Sequence, residues 1–316
     1  MRSALLIAAL AFLAAAPPVP PAADAHTRVS LAVLRRDGVM LPFASYDGSW
    51  SVPWPLLPTA IPIALTDVPK KWWGAPGPDA RWTAWIDDDD PRPLMVRTPE
   101  VVRIFCERRL GVRTDYAGDP YDPREPTTPK DGIALAGDAA PLPITRVSVN
   151  SPEARALVAA ITDAFNEEEK LASRRFTRWR HPYQDAQRKA YPIQLEAVYR
   201  AHERTTRGEW DVTFVEAVRR FPPGPKDEGC GLITFAHGWV RQTSGKTPDV
   251  DIGARVTYCD REGVSFMQPF GRLHLENEAY WIYQLSSWRD EWYVVARLRP
   301  RESRPIVVVN GGACPQ

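Results

Sequence analysis

Proline interrupts this chain at short intervals, with 32 prolines in 316 residues. Because proline ends helices and is excluded from central strands, the regular elements between prolines have to be short. Across residues 28–150, short apolar runs such as RVSLAVLRR, VMLPFASY and VVRIFCER alternate with turn signals. Asp37-Gly38 and Asp131-Gly132 are dipeptides that close tight turns. Short strands at this spacing predict an antiparallel, sheet-rich lobe.

One segment, SPEARALVAAITDAFNEEEKLASRRF, has the pattern of a helix. Ser151 is suited to the N-cap, Pro152 to the first helical position and Glu153 to the first turn. Apolar residues then recur at helical spacing, at Leu157, Val158, Ile161, Phe165 and Leu171. The pattern predicts a helix over about residues 152–172, at the boundary between two lobes.

After this helix the strand pattern resumes and continues to the end of the chain. The predicted strands are 191–201, 209–221, 231–241, 252–259, 272–276, 279–287, 291–299 and 306–309. A run of sequential hairpins gives a meander with the helix packed beside it. The predicted fold class is therefore α+β and β-dominant, with antiparallel sheets or a meander and one main helix.

The N-terminus has the pattern of a secretory signal peptide. Arg2 supplies a positive charge, residues 4–16 are apolar, and Ala23-Asp24-Ala25 fits an A-x-A cleavage site. The alternative is an uncleaved N-terminal anchor, although the apolar run is short for a membrane span. The interpretation divides the chain into a signal peptide over 1–25, a Pro/Trp-rich β lobe over 26–150 and a helix-plus-sheet lobe over 151–316. It predicts export to the periplasm or outside the cell, with no membrane span after cleavage.

Four cysteines occur in the sequence: Cys106, Cys230, Cys259 and Cys314. An even number in an exported protein indicates disulfides, and four cysteines allow three pairings. Because three of the four lie near the C-terminus, the favoured pattern is one bridge among Cys230, Cys259 and Cys314, with Cys106 a buried thiol. Two full bridges are the alternative.

Two similar segments, LEAVYR at 195–200 and VEAVRR at 215–220, each centre a glutamate in apolar surroundings. If the chain turns near residues 205–206, Glu196 lies close to Glu216 across a hairpin, and a bulge in the second strand could change the face of Glu216. Two adjacent carboxylates are the machinery of many glycosidases. The sequence favours a structural role, with Glu196→Gln changing stability by no more than about 0.5 kcal/mol.

Metal and cofactor signals are weak. Asp87, Asp88, Asp89 and Asp90 form an acidic run that lacks the spacing of a helix-loop-helix calcium site. His26 becomes the mature N-terminus if cleavage follows Ala25, and a terminal histidine can bind copper. A solvated turn and an ordinary terminus explain these residues more simply, so neither a metal nor a cofactor is expected.

The chain contains 12 tryptophans, and many of them crowd the first lobe. Trp72 and Trp73 lie in KKWWG on a predicted connection, where two adjacent indoles cannot easily both be buried. At least one is therefore predicted to be exposed and to contribute to a ligand or partner surface. A different loop, GKTPD at 245–249, has the lysine and threonine of a phosphate loop but lacks the upstream glycine.

A formal net charge of +1 argues against a general polyanion binder, so nucleic acid is not an expected partner. The sequence also lacks the motifs of nucleophilic hydrolases and nucleotide-binding loops. The favoured function is an exported, non-enzymatic protein that binds a ligand or partner at the envelope, with a glycan or an envelope protein as the expected class. The alternatives are a secreted hydrolase that uses Glu196 and Glu216, with glycans as a candidate substrate class, and a structural envelope component.

Overall fold

The computed structural model describes residues 27–86, 90–175, 181–223 and 230–315. Within these ranges the chain is dominated by antiparallel strands, which form three sheets, and it contains one main helix. The predicted class, α+β with β dominant, is confirmed. His26 and Asp87 to Asp89 lie outside the described residues, as does the predicted signal peptide.

The first sheet is built from the N-terminal half of the chain. Its strands run in the spatial order β5-β4-β8-β1-β2-β7-β6, with β3 paired on β2. They are β1 (Arg28–Arg35), β2 (Val39–Asp47), β3 (Trp50–Ser51), β4 (Trp82–Trp85), β5 (Arg92–Leu94), β6 (Val96–Ile104), β7 (Glu107–Thr114) and β8 (Lys130–Gly137). Two short 3-10 turns, Leu65–Asp67 and Lys70–Trp73, lie in the connection between β3 and β4.

The second sheet carries the main helix on one face. Its order is β13-β12-β11-β10-β9. The elements are β9 (Thr145–Arg146), α1 (Pro152–Arg175), the short α2 (Asp185–Lys189), β10 (Ile193–Thr205), β11 (Gly208–Arg220), β12 (Leu232–Gln242) and β13 (Asp249–Tyr258). Ile161 and Phe165 of α1 are fully buried in a cluster with Val215 and Ala217 of β11. These central residues of the predicted apolar stripe pack on the sheet, whereas Leu171 at its end is exposed.

The helix begins where the sequence predicts. The Ala154 amide donates a hydrogen bond to the Ser151 hydroxyl at 3.1 Å, which is the geometry of an N-cap. The helix ends at Arg175, a few residues beyond the predicted end at 172. Capping and periodicity were therefore sufficient to locate it.

The third sheet is a four-stranded meander, in the order β14-β15-β16-β17. Its strands are β14 (Phe266–Leu275), β15 (Glu278–Ser286), β16 (Asp290–Arg299) and β17 (Glu302–Ala313). Successive side chains of a strand point to opposite faces. Tyr280 and Ile282 pack in a cluster with the first sheet, whereas Ala279 and Trp281 pack in a cluster with the second. The third sheet is therefore the middle layer of the stack.

The described residues include all four cysteines, and these form two disulfides. Cys230 bonds to Cys259, which confirms a bridge within the C-terminal group. Cys106 bonds to Cys314, so the expectation of a free Cys106 thiol was wrong. The pairing could not be read from spacing along the chain, because it depends on β17 ending beside the β6–β7 turn, where the Cys106 amide donates to the Ala313 carbonyl at 3.2 Å.

The sequence-based boundary at residue 150 falls immediately before α1. The first sheet precedes it, and the second sheet follows it except for the short strand β9. The middle layer, formed by the C-terminal strands, contributes to the cores on either side. No helix among the described residues is long and apolar enough to cross a membrane.

Candidate functional site

The two segments that carry the glutamates pair across the β10–β11 hairpin, as predicted. Ala197 lies opposite Glu216 in the antiparallel register, and the register shifts between Leu195 and Ala197. Glu196 is therefore the extra residue of a β-bulge. A bulge redirects a side chain from its expected face, and it brings Glu196 toward the side of the sheet that Glu216 occupies.

Glu196 is held by two arginines. The Arg261 guanidinium donates to its two carboxylate oxygens, at 2.7 Å each. Arg220, on the neighbouring strand, donates to Oε1 as well. Paired bonds of this kind are stronger and more directional than a single contact. Glu196 thus fixes the connection between β13 and β14, where Arg261 lies, against the hairpin.

Glu216 is buried, with 4% of its surface exposed. Its Oε1 accepts a hydrogen bond from the Met267 amide at 2.6 Å, which ties β11 to the start of β14. Burial raises the pKa of this carboxyl to about 7, and the nearby Glu196 charge raises it further, against the opposing effects of the Met267 bond, Arg261 and Arg146. Loss of hydration is the dominant cause, because it disfavours the charged form.

His237 lies opposite Glu216 on β12. Its ring contacts Phe214 and Phe235 edge-on, with centroids 5.8 Å away in each case. Burial lowers its pKa, so the neutral ring is favoured. His237 is therefore a half-buried side chain packed among aromatic rings.

The chemistry available to this pair is limited by access. A carboxylic acid with a pKa near 7 beside a second carboxylate resembles the acid and base arrangement of several enzymes. However, Glu216 is almost fully enclosed, and the oxygens of Glu196 are occupied by guanidinium groups. As arranged, Glu196 and Glu216 tie β10 and β11 to the start of β14 and to the β13–β14 connection.

The adjacent tryptophans of the first lobe are packed inward. Trp73 is buried at 4% exposure and Trp72 is half-buried. Their rings meet Trp54 edge-on, at 5.2 and 5.9 Å. Neither side chain has the wide exposure that the sequence predicted, and their contribution to binding stays a prediction.

Gly74 explains how two adjacent indoles can turn toward the core. Its φ is +75°, a conformation that side-chain-bearing residues rarely adopt. A Cβ at this position would lie 2.3 Å from the Ser45 hydroxyl. Because glycine has no side chain, the connection can press against the sheet, where the Ser30 hydroxyl donates to the Trp73 carbonyl at 2.8 Å.

The remaining predicted site residues do not form a site in the described structure. Asp90 is exposed at the surface. Within the described ranges there is no group of three or more His, Cys, Asp or Glu side chains that could hold a metal ion.

A polar hollow of about 400 Å³ lies where the β12–β13 turn approaches the β16–β17 turn. We call it the hairpin hollow. It contains three cationic side chains and two threonine hydroxyls, and its lining residues are Arg241, Thr243, Gly245, Lys246, Thr247, Asp249, Pro300 and Arg301. A second hollow, beside Trp54 and Tyr293, has a volume of only about 20 Å³. That volume is close to the minimum needed to hold a water molecule.

Arg241 forms the rigid wall of the hairpin hollow. Its side chain is 3% exposed. It donates to Asp249 at 3.0 and 2.8 Å and to the Ser303 hydroxyl at 2.7 Å. These bonds connect the β12–β13 hairpin to β17. The hollow is therefore framed by elements that are fixed relative to one another.

One sequence motif lies on this surface. Lys246 and Thr247 belong to GKTPD, which fails as a phosphate loop because the upstream glycine is missing. Arg301 is more than fifty residues away along the chain, and only the folding of β17 beside β12 brings it to the same hollow.

No protein-family model, no curated protein and no solved structure matches this chain.

Proposed function

We propose that this chain is an exported, non-enzymatic protein that binds a ligand at the cell envelope. Two lines of support concern the compartment. The disulfides Cys106–Cys314 and Cys230–Cys259 belong to oxidising environments. The charged start, the apolar run and the A-x-A pattern at Ala25 fit a cleaved signal peptide that directs the chain to the periplasm or beyond.

The observation that carries the binding proposal is the hairpin hollow itself. It is lined by loop residues that are exposed, including Lys246, Thr247 and Arg301. Its volume, about 400 Å³, lies within the range of small-molecule sites. Loops held on a rigid sheet framework are the usual location of binding residues, and here the framework is tied by Arg241 and by the bridge Cys230–Cys259.

A secreted hydrolase that uses Glu196 and Glu216 is the second candidate. The raised pKa of Glu216, about 7, is the observation that favours it. Against it stand the burial of Glu216 and the arginines that occupy Glu196. A substrate would have to displace these contacts before it reached either carboxyl group.

Ligand profiling combined with product analysis separates the two candidates. The purified mature protein is screened on a glycan array and against a panel of envelope metabolites. Bound compounds are then recovered and identified by mass spectrometry. We expect a bound compound to be recovered unchanged. We also expect Glu216→Gln to bind it as the wild type does.

A steric variant tests whether the hairpin hollow is the site. Thr247→Trp fills the hollow whatever the charge of the ligand, and Thr206→Trp places the same side chain on an exposed turn elsewhere. Binding should be lost in Thr247→Trp and kept in Thr206→Trp. Conversion of the bound compound to a product, with conversion lost in Glu216→Gln, would instead establish the hydrolase.

A further inference from the structure

We propose that the hairpin hollow recognises a phosphate group, with Lys246 and Arg301 contacting it and the threonine hydroxyls contacting the body of the ligand. This inference rests on the proposed binding function and adds the chemical class of the ligand. A negatively charged group bearing several acceptor oxygens is what two cations lining one hollow and nearby hydroxyl donors suit.

The first support is a concentration of positive charge at the β16–β17 turn. The segment RLRPRESR, residues 297–304, contains four arginines and one acidic residue. That residue, Glu302, lies 3.6 Å from Arg297 and from Arg299, and Arg299 also pairs with Glu278 at 2.7 Å. Arg301, at the tip of the turn, takes no part in these ion pairs.

The second support is that the two exposed cations of the hollow have no acidic partner in the described part of the chain. Neither Lys246 nor Arg301 forms an ion pair there. The acidic side chain in the lining, Asp249, is already committed to Arg241 at 2.8 Å. An incoming anion therefore meets Lys246 and Arg301 at the mouth of the hollow, while the carboxylates of Asp249 and Asp251 lie against Arg241, at 2.8 and 3.7 Å.

The third support is the shape of the β12–β13 turn, which is held by its own hydrogen bonds. The Gln242 side-chain amide donates to the carbonyls of Thr243 and Lys246, at 2.9 and 2.6 Å. Gly245 takes a φ of +71°, which lets the turn close, and the Lys246 amide donates to the Thr243 carbonyl at 3.1 Å. A preorganised turn loses little conformational entropy when a ligand binds.

The size of the hollow indicates more than a free phosphate ion. A volume of about 400 Å³ falls within the range of sites for small organic molecules. Thr243 and Thr247 supply hydroxyl groups that can donate or accept hydrogen bonds. A polyol phosphate matches this combination, and it occurs both as a free metabolite and as the headgroup of a phospholipid.

Isothermal titration calorimetry with inorganic phosphate and with glycerol 3-phosphate tests the class of ligand. Sedimentation with phosphatidylglycerol vesicles, against phosphatidylcholine vesicles, tests the lipid source. We expect glycerol 3-phosphate to bind more tightly than inorganic phosphate, and the affinity to fall as sodium chloride screens the charges. Binding to phosphatidylglycerol vesicles would identify a headgroup, and binding of glycerol 3-phosphate alone would identify a soluble ligand.

Charge variants supply the decisive comparison. Lys246→Gln with Arg301→Gln removes two charges from the hollow, and Arg81→Gln with Arg108→Gln removes two exposed charges elsewhere. We expect the first pair to weaken binding by about tenfold or more and the second pair to leave it unchanged. Equal affinity in the two double variants, or no binding in any arm, would overturn the inference.

The result also separates this inference from the proposed function. If Thr247→Trp abolishes binding of a neutral ligand while Lys246→Gln with Arg301→Gln does not, the hollow is a binding site but phosphate recognition is wrong. If a ligand is hydrolysed and Glu216→Gln stops the reaction, the proposed function itself fails.

Discussion

At the scale of single residues, the buried carboxylates of this protein differ in their partners. Glu291 is paired with Lys130 at 2.6 Å, and Glu203 with Arg272 at 2.9 Å. Glu169 contacts Arg219. Glu216 is also buried. Among the described residues, however, it accepts a hydrogen bond from a backbone amide and forms no ion pair. An unpaired buried carboxyl takes up a proton more readily, which accounts for its raised pKa.

The raised pKa of Glu216 predicts a pH dependence of stability. The folded chain binds this proton with a pKa of about 7, against an ordinary value of 4.5. The folded state therefore gains stability from Glu216 at pH below 4.5 and loses it as the pH rises through about 7. The loss is on the order of 3 kcal/mol at most.

Glu216→Gln should remove that dependence, because an amide stays neutral at every pH. Chemical denaturation at pH 5 and pH 8 checks this, with Glu125→Gln, an exposed glutamate, as the control. We expect Glu216→Gln to be more stable than the wild type at pH 8. A loss of stability with rising pH that is steeper in Glu216→Gln than in the wild type would contradict this expectation.

Glu196 should matter more to stability than its sequence context predicts. Its contacts with Arg261 and Arg220 join the β13–β14 connection to the hairpin. Glutamine keeps one acceptor oxygen but replaces the other by an NH2 donor and removes the negative charge that the two guanidinium groups face, so Glu196→Gln should cost about 1–2 kcal/mol of unfolding free energy. Urea denaturation of Glu196→Gln, Arg261→Gln and the double variant measures it, and additive effects would show that the two residues do not interact.

The candidate carboxylate site was only partly predictable. The echo of LEAVYR in VEAVRR and the turn near residue 205 were sufficient to predict that Glu196 and Glu216 lie together. The burial of Glu216 was not predictable, because it depends on Met267, which lies 51 residues further along the chain in another sheet. The partner Arg261 likewise comes from a connection that has no periodic pattern.

At the scale of elements, the second half of the chain follows its residue pattern closely. Most predicted strands after α1 match the observed ones within a few residues, because alternation between apolar and polar side chains is clear there. The last strand, predicted over 306–309, is longer and spans Glu302–Ala313. The start is furthest from its prediction in β14, predicted over 272–276 and observed over Phe266–Leu275. Pro269 and a register shift before Gly271 interrupt its pattern, so the first half of the strand resembles a loop.

The two disulfides should stabilise the protein to different extents. Cys106–Cys314 spans 208 residues and Cys230–Cys259 spans 29. Constraining the longer loop removes more entropy from the unfolded chain, which corresponds to about 5 kcal/mol for the first bridge and about 4 kcal/mol for the second.

Paired alanine variants measure this difference. Cys106→Ala with Cys314→Ala and Cys230→Ala with Cys259→Ala are compared with the wild type by guanidinium denaturation. We expect the first pair to be the less stable, since it also releases β17 from the first sheet. A larger loss in the second pair would show that local strain or packing, rather than loop length, sets the contribution.

At the scale of the whole molecule, the C-terminal sheet is shared by the cores on its two faces. Tyr293 and Val295 pack toward the first sheet, and Val294 and Ala296 toward the second. Strand alternation indicates that a strand has two faces, but it does not say which other sheet covers each face. This is why the sequence predicted the elements yet did not predict the order of the layers.

The layered arrangement also explains how a nearly neutral chain presents a basic site. The net charge of +1 excludes a general attraction for polyanions. Placing the β12–β13 turn beside the β16–β17 turn nevertheless concentrates Lys246 and Arg301 at one hollow. The function proposed here therefore depends on local charge that the composition of the chain conceals.

Amide chemical-shift mapping of the mature protein, titrated with glycerol 3-phosphate, tests the central claim most directly, namely that the hairpin hollow binds and the carboxylate pair is structural. The account predicts that the largest shifts fall in residues 241–249 and 299–303, with the Met267 amide unmoved. Shifts centred instead on Glu196, Glu216 and Met267, with the turn residues unchanged, would contradict it.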